Sequence, residues 1–187
     1  MKVKNEPLEK IGGWKCTSHK TVYDNPWINV SHQEVLRPNG SEGIYGVVHF
    51  KNRALGVVAI DADGMIIFVK QSRYALNEYT YEIPEGGGPF DEDPLDAIKR
   101  ELEEETGFCA RSWQKILTIH TSNSVTDETG YLYLAEDLYS GQQMLEDSED
   151  IEVLRFSMEQ ALEMIDDGSI TDSLTIAGIL KVALMRR

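Results

Sequence analysis

The feature that most constrains this fold is a sharply bounded acidic helix in the middle of the chain. Asp93 is a favourable N-cap, Pro94 suits the first helical position, and Gly107 suits the position just past the C-terminus. These signals predict a helix over about residues 94–106. Such a helix needs an apolar face that can be buried against other elements.

The predicted helix carries an apolar stripe and a group of carboxylates beside it. The stripe consists of Leu95, Ile98 and Leu102. Three glutamates lie together at i, i+3 and i+4, namely Glu101, Glu104 and Glu105. A divalent cation would remove their mutual repulsion, and oxygen ligands without His or Cys favour Mg²⁺ or Mn²⁺. A Glu-rich helix is more often an ordinary solvated surface, so the helix alone does not decide between these interpretations.

Composition narrows the classes of partner. The formal net charge of −14 disfavours DNA or long RNA, whereas a metal ion can invert the charge that a small phosphorylated ligand meets. Cys16 and Cys109 are far apart and have no zinc-site spacing, which favours a reducing cytoplasm. We expect no secretion signal and no membrane association, because no apolar run reaches the length of a membrane span.

Hydrophobic patterning predicts strands before and after the acidic helix. Two or three antiparallel strands are expected within residues 14–51, and further strands at 55–60, 65–70, 79–84, 113–120, 131–135 and 151–156. Two more helices are predicted, one capped by Ser157 and running to Asp166, and one capped by Asp172. This order predicts an α+β fold in which helices cover a mixed sheet.

The connections between these elements carry their own signals. Residues 61–64 predict a hairpin turn that joins the two buried strands on either side. Residues 85–90 predict a glycine-rich loop, and residues 121–130 a polar loop. Residues 146–150 form a second acidic loop. The first helix is therefore expected to follow a strand and a glycine-rich loop.

The segment from Gly86 to Phe108 resembles the complete Nudix box. It reads Gly86, five residues, Glu92, seven residues, and then Arg-Glu-Leu-Glu-Glu-Glu-Thr-Gly-Phe over 100–108. Every fixed position of the family pattern is filled. The resemblance implies the α/β/α sandwich of the Nudix family and a metal-dependent hydrolase of nucleoside diphosphate derivatives, in which water substitutes at phosphorus.

The resemblance also implies roles for individual residues. The implied metal ligands are Glu101, Glu104, Glu105 and the backbone carbonyl of Glu85. Arg100 and Glu92 would form a buried pair that orients the helix, and Arg100 would also contact the glutamates. Glu104 and Arg100 are thus expected in the catalytic machinery, with Gly86 and Glu92 supporting it.

Residues outside the box resemble the branch of ADP-ribose and nucleotide-sugar pyrophosphatases. The similar stretches are Gln71–Tyr74, Glu82–Gly86 and the N-terminal β extension. This implies that Arg73 and Glu82 contact substrate, although Arg73 could also be a surface cation near a strand end. It further implies a homodimer formed through an extension over residues 1–50, which precedes a Nudix domain over 51–187.

Two further assignments keep their alternatives. Trp27 could stack on a base or serve as a packing anchor. In the acidic loop, the branch resemblance implies Glu149 as an extra metal ligand or general base, with Asp147 as the other candidate and a solvated turn as the plain alternative. His120 is expected to be structural.

The substrate class expected from the resemblance is a nucleoside diphosphate sugar of the ADP-ribose, GDP-mannose or ADP-glucose type. ADP-ribose pyrophosphatases commonly carry a Pro downstream of the box, whereas this chain has none in residues 122–128, which favours a broader specificity; Glu128 there is a further candidate for substrate binding. A dinucleoside polyphosphate or coenzyme A remains an alternative substrate. A non-catalytic sensor is the alternative from another class.

Overall fold

The computed structural model describes residues 9–145 and 150–187, which divide into two compact units. The first comprises the described residues up to Lys51 together with Ser122–Glu128, and the second comprises Asn52–Thr121 and Thr129–Arg187. The segment Ser122–Glu128 thus belongs with the N-terminal strands, which the sequence boundary did not anticipate. Within the described residues, no helix is both long and apolar enough to cross a membrane.

The first unit is an antiparallel sheet. Its strands, in sheet order, are β1 (Glu9–Ile11), β2 (Trp14–Asp24), β3 (Ile28–Leu36) and β4 (Glu42–Phe50). The turn after β3 closes because Asn39 Oδ1 accepts a hydrogen bond from the Ser41 N–H at 3.0 Å. The segment 122–128 attaches to β4, where the Val48 N–H donates to the Val125 carbonyl at 2.8 Å. The predicted antiparallel N-terminal extension is confirmed.

The second unit contains two sheets and three helices. The strands are β5 (Asn52–Ala59), β6 (Ile66–Arg73), β7 (Glu78–Glu82), β8 (Glu85–Pro89), β9 (Phe108–Ile119), β10 (Gly130–Ser140) and β11 (Glu152–Phe156). The helices are α1 (Pro94–Thr106), α2 (Met158–Asp166) and α3 (Ser173–Met185). One sheet has the order β8-β5-β10-β9 and is mixed, because β5 and β10 run parallel. The other has the order β11-β6-β7 and is antiparallel.

The predicted hairpin between β5 and β6 is wrong. The turn itself forms, with the Asp61 N–H donating to the Met65 carbonyl at 2.9 Å. However, the strands share only the isolated bridge between Ile60 and Ile66 and then enter different sheets. Each strand instead pairs along both of its edges with other strands, β5 with β8 and β10, and β6 with β11 and β7.

The glycine-rich segment predicted as a loop is instead strand β8. It pairs antiparallel with β5, from Gly56 opposite Glu85 to Asn52 opposite Pro89. Glycine permits this close approach, since a Cβ added to Gly88 would lie 2.5 Å from Leu55 Cδ1. The strand is followed by residues 90–93 and then by α1.

Side-chain alternation along the central strands builds the sandwich. From β5, Leu55, Val57 and Ala59 face a core shared with Ile98 and Leu102 of α1. The intervening residues of β5 and β6 face a second core, shared with α2 and α3, whose buried members include Val58, Ile66, Phe68, Ala161 and Ile179. The predicted α+β fold, an α/β/α sandwich around mixed-sheet strands, is confirmed.

Candidate active site

Helix α1 has the boundaries that its sequence predicts. Asp93 Oδ1 accepts a hydrogen bond from the Leu95 N–H at 2.8 Å, and Pro94 occupies the first turn. Gly107 ends the helix with φ 71°, and its N–H donates to the Glu103 carbonyl at 2.8 Å. These caps fix which residues share each face of the helix.

The three box glutamates lie along one side of α1 in graded environments. Glu105, nearest to the apolar stripe, is buried, and its Oε2 accepts a hydrogen bond from the Glu85 N–H at 3.1 Å. Glu101 and Glu104 are partly exposed. Both contact Arg100 Nη1, Glu101 Oε1 at 3.0 Å and Glu104 Oε2 at 2.8 Å. The guanidinium therefore brings two of the three carboxylates together.

The pair of Arg100 and Glu92 forms, but it is not buried as expected. Arg100 Nη2, on α1, lies 3.5 Å from Oε2 of Glu92, which precedes the helix, and both side chains are partly exposed. Although burial opposes its charge, the nearby carboxylates of Glu101, Glu104 and Glu92 raise the pKa of Arg100. Arg100 thus stays positively charged among carboxylates that would otherwise repel one another.

Gly86 gives Glu101 the room that it occupies. A Cβ added to Gly86 would lie 2.3 Å from Glu101 Cδ and 2.4 Å from its Oε2. The absence of a side chain at this position therefore allows the Glu101 carboxylate to pack against the backbone of β8. This is the physical reason for a glycine at the start of the box.

Arg73 and Glu82 form a densely hydrogen-bonded ion pair between β6 and β7. Arg73 Nε donates to Glu82 Oε1 at 2.9 Å, and Arg73 Nη2 donates to Glu82 Oε2. Gln71 and Thr80 donate to the same carboxylate at 3.0 and 2.6 Å. Burial opposes the charge of Glu82, yet these donors and the charge of Arg73 lower its pKa overall.

This network changes the expected role of Glu82. Its side chain is only 2% exposed, and both oxygens already accept hydrogen bonds, so it is placed to hold Arg73 rather than to contact substrate as expected. Arg73 is 39% exposed. Burial disfavours its charge, but the hydrogen bond and charge of Glu82 and the charge of Glu85 raise its pKa above the ordinary value. Arg73 is thus a fixed, partly accessible cation.

The side chain of Glu85 is a component that the sequence reasoning missed, since only its backbone carbonyl was expected to act. Glu85 Oε1 accepts a hydrogen bond from Arg73 Nη2 at 2.7 Å. Burial raises the pKa of Glu85 well above its ordinary value, as do the charges of Asp172 and Glu82, while Arg73 lowers it. One carboxylate oxygen of each of these three acids lies within 4.8 Å of the others.

Asp172 was found in the sequence as a helix cap but not as a neighbour of the site. Its Oδ2 accepts a hydrogen bond from the Thr175 N–H at 2.7 Å at the start of α3. Thr175 Oγ1 in turn accepts from the Ile83 N–H at 3.0 Å. This long-range contact brings Asp172 to Glu82 and Glu85, and no local sequence pattern encodes it.

The other expected site residues have different outcomes. Trp27 lies in the first unit and is 68% exposed, which does not fit a packing anchor. Glu149 and Asp147 lie outside the described residues. The Glu85 carbonyl precedes Gly86 in β8, and its service as a metal ligand stays a prediction.

Comparison with known proteins decides the family. Residues 50–174 match the NUDIX domain, over the stretch that contains α1 and its three glutamates. The chain belongs to the Nudix family. Residues 14–48 of this Nudix hydrolase match the nucleoside diphosphate sugar hydrolase N-terminal domain.

Individual relatives agree with this assignment. An ADP-ribose pyrophosphatase of Bacillus subtilis (strain 168) is 32% identical over 167 residues, which cover 88% of this Nudix hydrolase and 90% of the relative. A GDP-mannose pyrophosphatase of Escherichia coli (strain K12) is 33% identical over 121 residues, covering 59% of this chain and 62% of the relative. The crystal structure of an ADP compounds hydrolase matches the fold with a TM-score of 0.84 at 19% identity, over 96% of each chain.

The site of this Nudix hydrolase fits a hard divalent cation, as Nudix hydrolases generally use. The three acids on α1 offer only oxygen ligands. Gly86 leaves the space in which the Glu101 carboxylate lies, and the Glu85 N–H fixes one oxygen of Glu105. The site therefore offers oxygen ligands that the fold already holds in place, as such an ion needs.

Replacing Gly86 by alanine is expected to lower kcat by about 10²-fold. The added Cβ would lie 2.3 Å from Glu101 Cδ, so the carboxylate must move, and a shift of about 1 Å in a catalytic group has a cost of this size. Steady-state hydrolysis measures kcat, and urea unfolding checks that the fold remains. Gly46→Ala is the matched control, since no atom lies within 4 Å of its added Cβ. An unchanged kcat for Gly86→Ala would contradict the space-making role.

Proposed function

We propose that this Nudix hydrolase uses Mg²⁺ to hydrolyse the pyrophosphate bond of a nucleoside diphosphate sugar, giving a nucleoside monophosphate and a sugar phosphate. The observation that carries the proposal is the arrangement of three carboxylates on α1, with Glu101 and Glu104 joined by Arg100 and Glu105 held by the Glu85 N–H. Such an arrangement suits phosphoryl chemistry, in which positioning and charge supply most of the rate.

Glu101, Glu104, Glu105 and the Glu85 carbonyl would hold the metal ion, with Mn²⁺ as an acceptable substitute. When bound, the ion supplies neutralisation of the charge that develops on the phosphate oxygens. The role of Arg100 is to hold Glu101 and Glu104 in place, since its Nη1 reaches both. Glu92, which precedes the N-cap of α1, supports Arg100 through their ion pair.

Arg73 would bind the diphosphate of the substrate. A guanidinium can donate two hydrogen bonds to phosphate oxygens, and Arg73 keeps its charge and partial exposure. Glu82 holds the guanidinium through Nε and Nη2, which fixes the direction of the remaining donors. Glu82 is therefore a positioning residue.

The general base would come from the acidic loop, with Glu149 as the first choice and Asp147 as the second. Attack on phosphorus requires a base that can take a proton from water. The residue that follows, Asp150, accepts a hydrogen bond at Oδ2 from the Tyr79 hydroxyl at 2.7 Å, which ties the end of this loop to β7. Matched Glu149→Gln and Asp147→Asn variants would distinguish the two candidates.

The substrate proposed is of the ADP-ribose, GDP-mannose or ADP-glucose type. The names of the two pyrophosphatase relatives support it, since one acts on ADP-ribose and the other on GDP-mannose. The match of residues 14–48 to a nucleoside diphosphate sugar hydrolase domain supports the same class. Base stacking by the exposed Trp27 is part of this proposal.

A substrate panel tests this function. Purified protein with Mg²⁺ is incubated with ADP-ribose, GDP-mannose, ADP-glucose, a diadenosine polyphosphate and coenzyme A, and products are separated by chromatography. We expect a nucleoside monophosphate and a sugar phosphate from at least one sugar compound, with turnover lost on chelation and restored by Mg²⁺. Preference for one of the last two compounds would reassign the substrate. Tight binding without turnover would overturn the enzymatic proposal in favour of a sensor.

We also propose that the N-terminal strands, with residues 1–50 as the extension, mediate a homodimer, and that 51–187 form the catalytic domain. The first unit exposes several large apolar side chains, including Val22, Tyr23, Trp27 and Ile44, which suits a surface that contacts another chain. Multi-angle light scattering measures the assembly state. The two free cysteines fit the cytoplasm as the proposed compartment.

A further inference from the structure

The last turn of α1 is acidic at the end where a helix favours positive charge. Glu103, Glu104 and Glu105 lie in this turn, and none of its residues is basic. The carbonyl end of a helix has a partial negative charge, so carboxylates close to it are unfavourable. The last four carbonyls of a helix also have no donor within the helix. The sequence of α1 therefore gives little stability to the turn that carries two of the proposed metal ligands.

A segment from a later part of the chain supplies donors to this turn. Residues 141–145, the strap, follow β10 and contact the C-terminal end of α1. The Gln143 side chain donates from Nε2 to the Glu105 carbonyl at 2.7 Å. The Met144 N–H donates to the Glu104 carbonyl at 2.9 Å. The strap thus satisfies carbonyls that α1 cannot satisfy by itself.

The strap packs closely against the residue that ends the helix. The Gly141 N–H donates to the Gly107 carbonyl at 2.8 Å. Gly107 has φ 71°, and a Cβ added to it would lie 3.3 Å from the Gln143 backbone nitrogen. The glycine that ends α1 therefore also leaves room for the strap.

Glu104 and Glu105 are each held at two points. The Glu105 carboxylate accepts a hydrogen bond from the first N–H of β8, while its carbonyl accepts from Gln143. The Glu104 carboxylate pairs with Arg100, while its carbonyl accepts from Met144. In each residue one contact fixes the carboxylate, and the other fixes the backbone from which the side chain extends. The strap supplies the backbone contact in both.

We propose that the strap positions the carboxylates of Glu104 and Glu105 for metal binding, and that Gln143 is a positioning residue of the metal site. The Met144 contact uses a backbone N–H, which every residue except proline has. The Gln143 contact needs a side chain that can donate a hydrogen bond. Gln143 acts through the Glu105 backbone and not by touching substrate. The inference rests on the proposed use of a divalent cation by the box glutamates.

Binding of Mn²⁺ to the full chain, without substrate, tests this proposal. Gln143→Met keeps the length of the side chain and removes its donor. We expect the dissociation constant for Mn²⁺ to rise about 2- to 10-fold, as for the loss of one hydrogen bond. Electron paramagnetic resonance measures free Mn²⁺ during the titration. The Mg²⁺ concentration for half-maximal hydrolysis should rise by a similar factor, whereas kcat at saturating Mg²⁺ should stay near that of the unaltered protein.

Gln142→Met is the matched control within the strap. It makes the same chemical change at the preceding residue, whose contact with α1 uses the backbone N–H that the substitution keeps. Its affinity for Mn²⁺ should equal that of the unaltered protein. Amide hydrogen exchange over residues 103–107 of the metal-free protein should be faster in Gln143→Met and unchanged in Gln142→Met, because the last turn of α1 opens more readily without its donor.

The possible failures can be told apart. If the unaltered protein binds Mn²⁺ and Gln143→Met binds it equally well, the inference is overturned while the proposed function stands. Faster exchange with unchanged Mn²⁺ affinity would also overturn it, since the strap would then stabilise the helix without positioning its carboxylates. Equal weakening by Gln142→Met would contradict the role of the Gln143 side chain. Absence of Mn²⁺ binding by the unaltered protein would contradict the proposed function, and this inference with it.

Discussion

Replacing Glu104 by glutamine is expected to lower kcat for pyrophosphate hydrolysis by about 10²- to 10³-fold, the usual cost of removing one group that stabilises transition-state charge. Glu104 is partly exposed on α1, and Arg100 Nη1 contacts its Oε2 at 2.8 Å. Glutamine keeps the size of the side chain but removes the charge that a metal ligand needs. Stopped-time assays with saturating Mg²⁺ measure the change.

Glu103→Gln provides the matched control for this prediction. It makes the same chemical change one position earlier on the same helix, where Glu103 Oε1 accepts a hydrogen bond from the Gln142 N–H at 3.3 Å, on the side away from the box glutamates. Its kcat should remain near that of the unaltered protein. Equal losses in the two variants would point to general damage to α1 and contradict the specific role of Glu104.

The sequence predicted α1 and its glutamates because the relevant information is local. Capping at Asp93 and Gly107 depends on residues within one or two turns, and the helical period then places Glu101, Glu104 and Glu105 on one side. The same local logic predicted α2 after Ser157 and α3 after Asp172. Each of these helices has the start that its sequence indicated.

The pairing of the strands could not be predicted in the same way. A turn at residues 61–64 and two buried runs are compatible with a hairpin, yet β5 pairs with β8 and β10, far away in the sequence. Strand β8 was hidden because glycines have low strand propensity, and its formation depends on the fit of Gly88 against Leu55. Both outcomes depend on partners outside the local pattern.

The second half of the site was only partly predictable for the same reason. The resemblance selected Arg73 and Glu82. It could not show that the Glu82 side chain is buried and that both of its oxygens already accept hydrogen bonds. The approach of Asp172 depends on the packing of α3 against Ile83, through Thr175. Charge clusters formed by distant segments become visible only in the folded chain.

Arg73→Ala is expected to lower the free energy of unfolding by about 2 to 3 kcal/mol at about pH 7, less than for a fully buried pair because Arg73 is partly exposed. Arg73 holds the pKa of Glu82 below its ordinary value, so this carboxylate contributes stability above its unfolded-state pKa that is lost as the pH falls through its folded-state pKa. Without Arg73, burial would raise that pKa instead, and the charged Glu82 would destabilise the fold at neutral pH.

The difference in the free energy of unfolding between the unaltered protein and Arg73→Ala should therefore shrink as the pH falls. Protonation of Glu82 removes the charge that Arg73 compensates. Urea unfolding at about pH 7 and about pH 4 measures it on either side of the ordinary glutamate pKa. Arg111→Ala is the control, since the pair of Arg111 with Asp137 is largely exposed and should contribute at most about 1 kcal/mol. A destabilisation of Arg73→Ala that is equal at both pH values would show that lost packing, rather than the unpaired carboxylate, causes it.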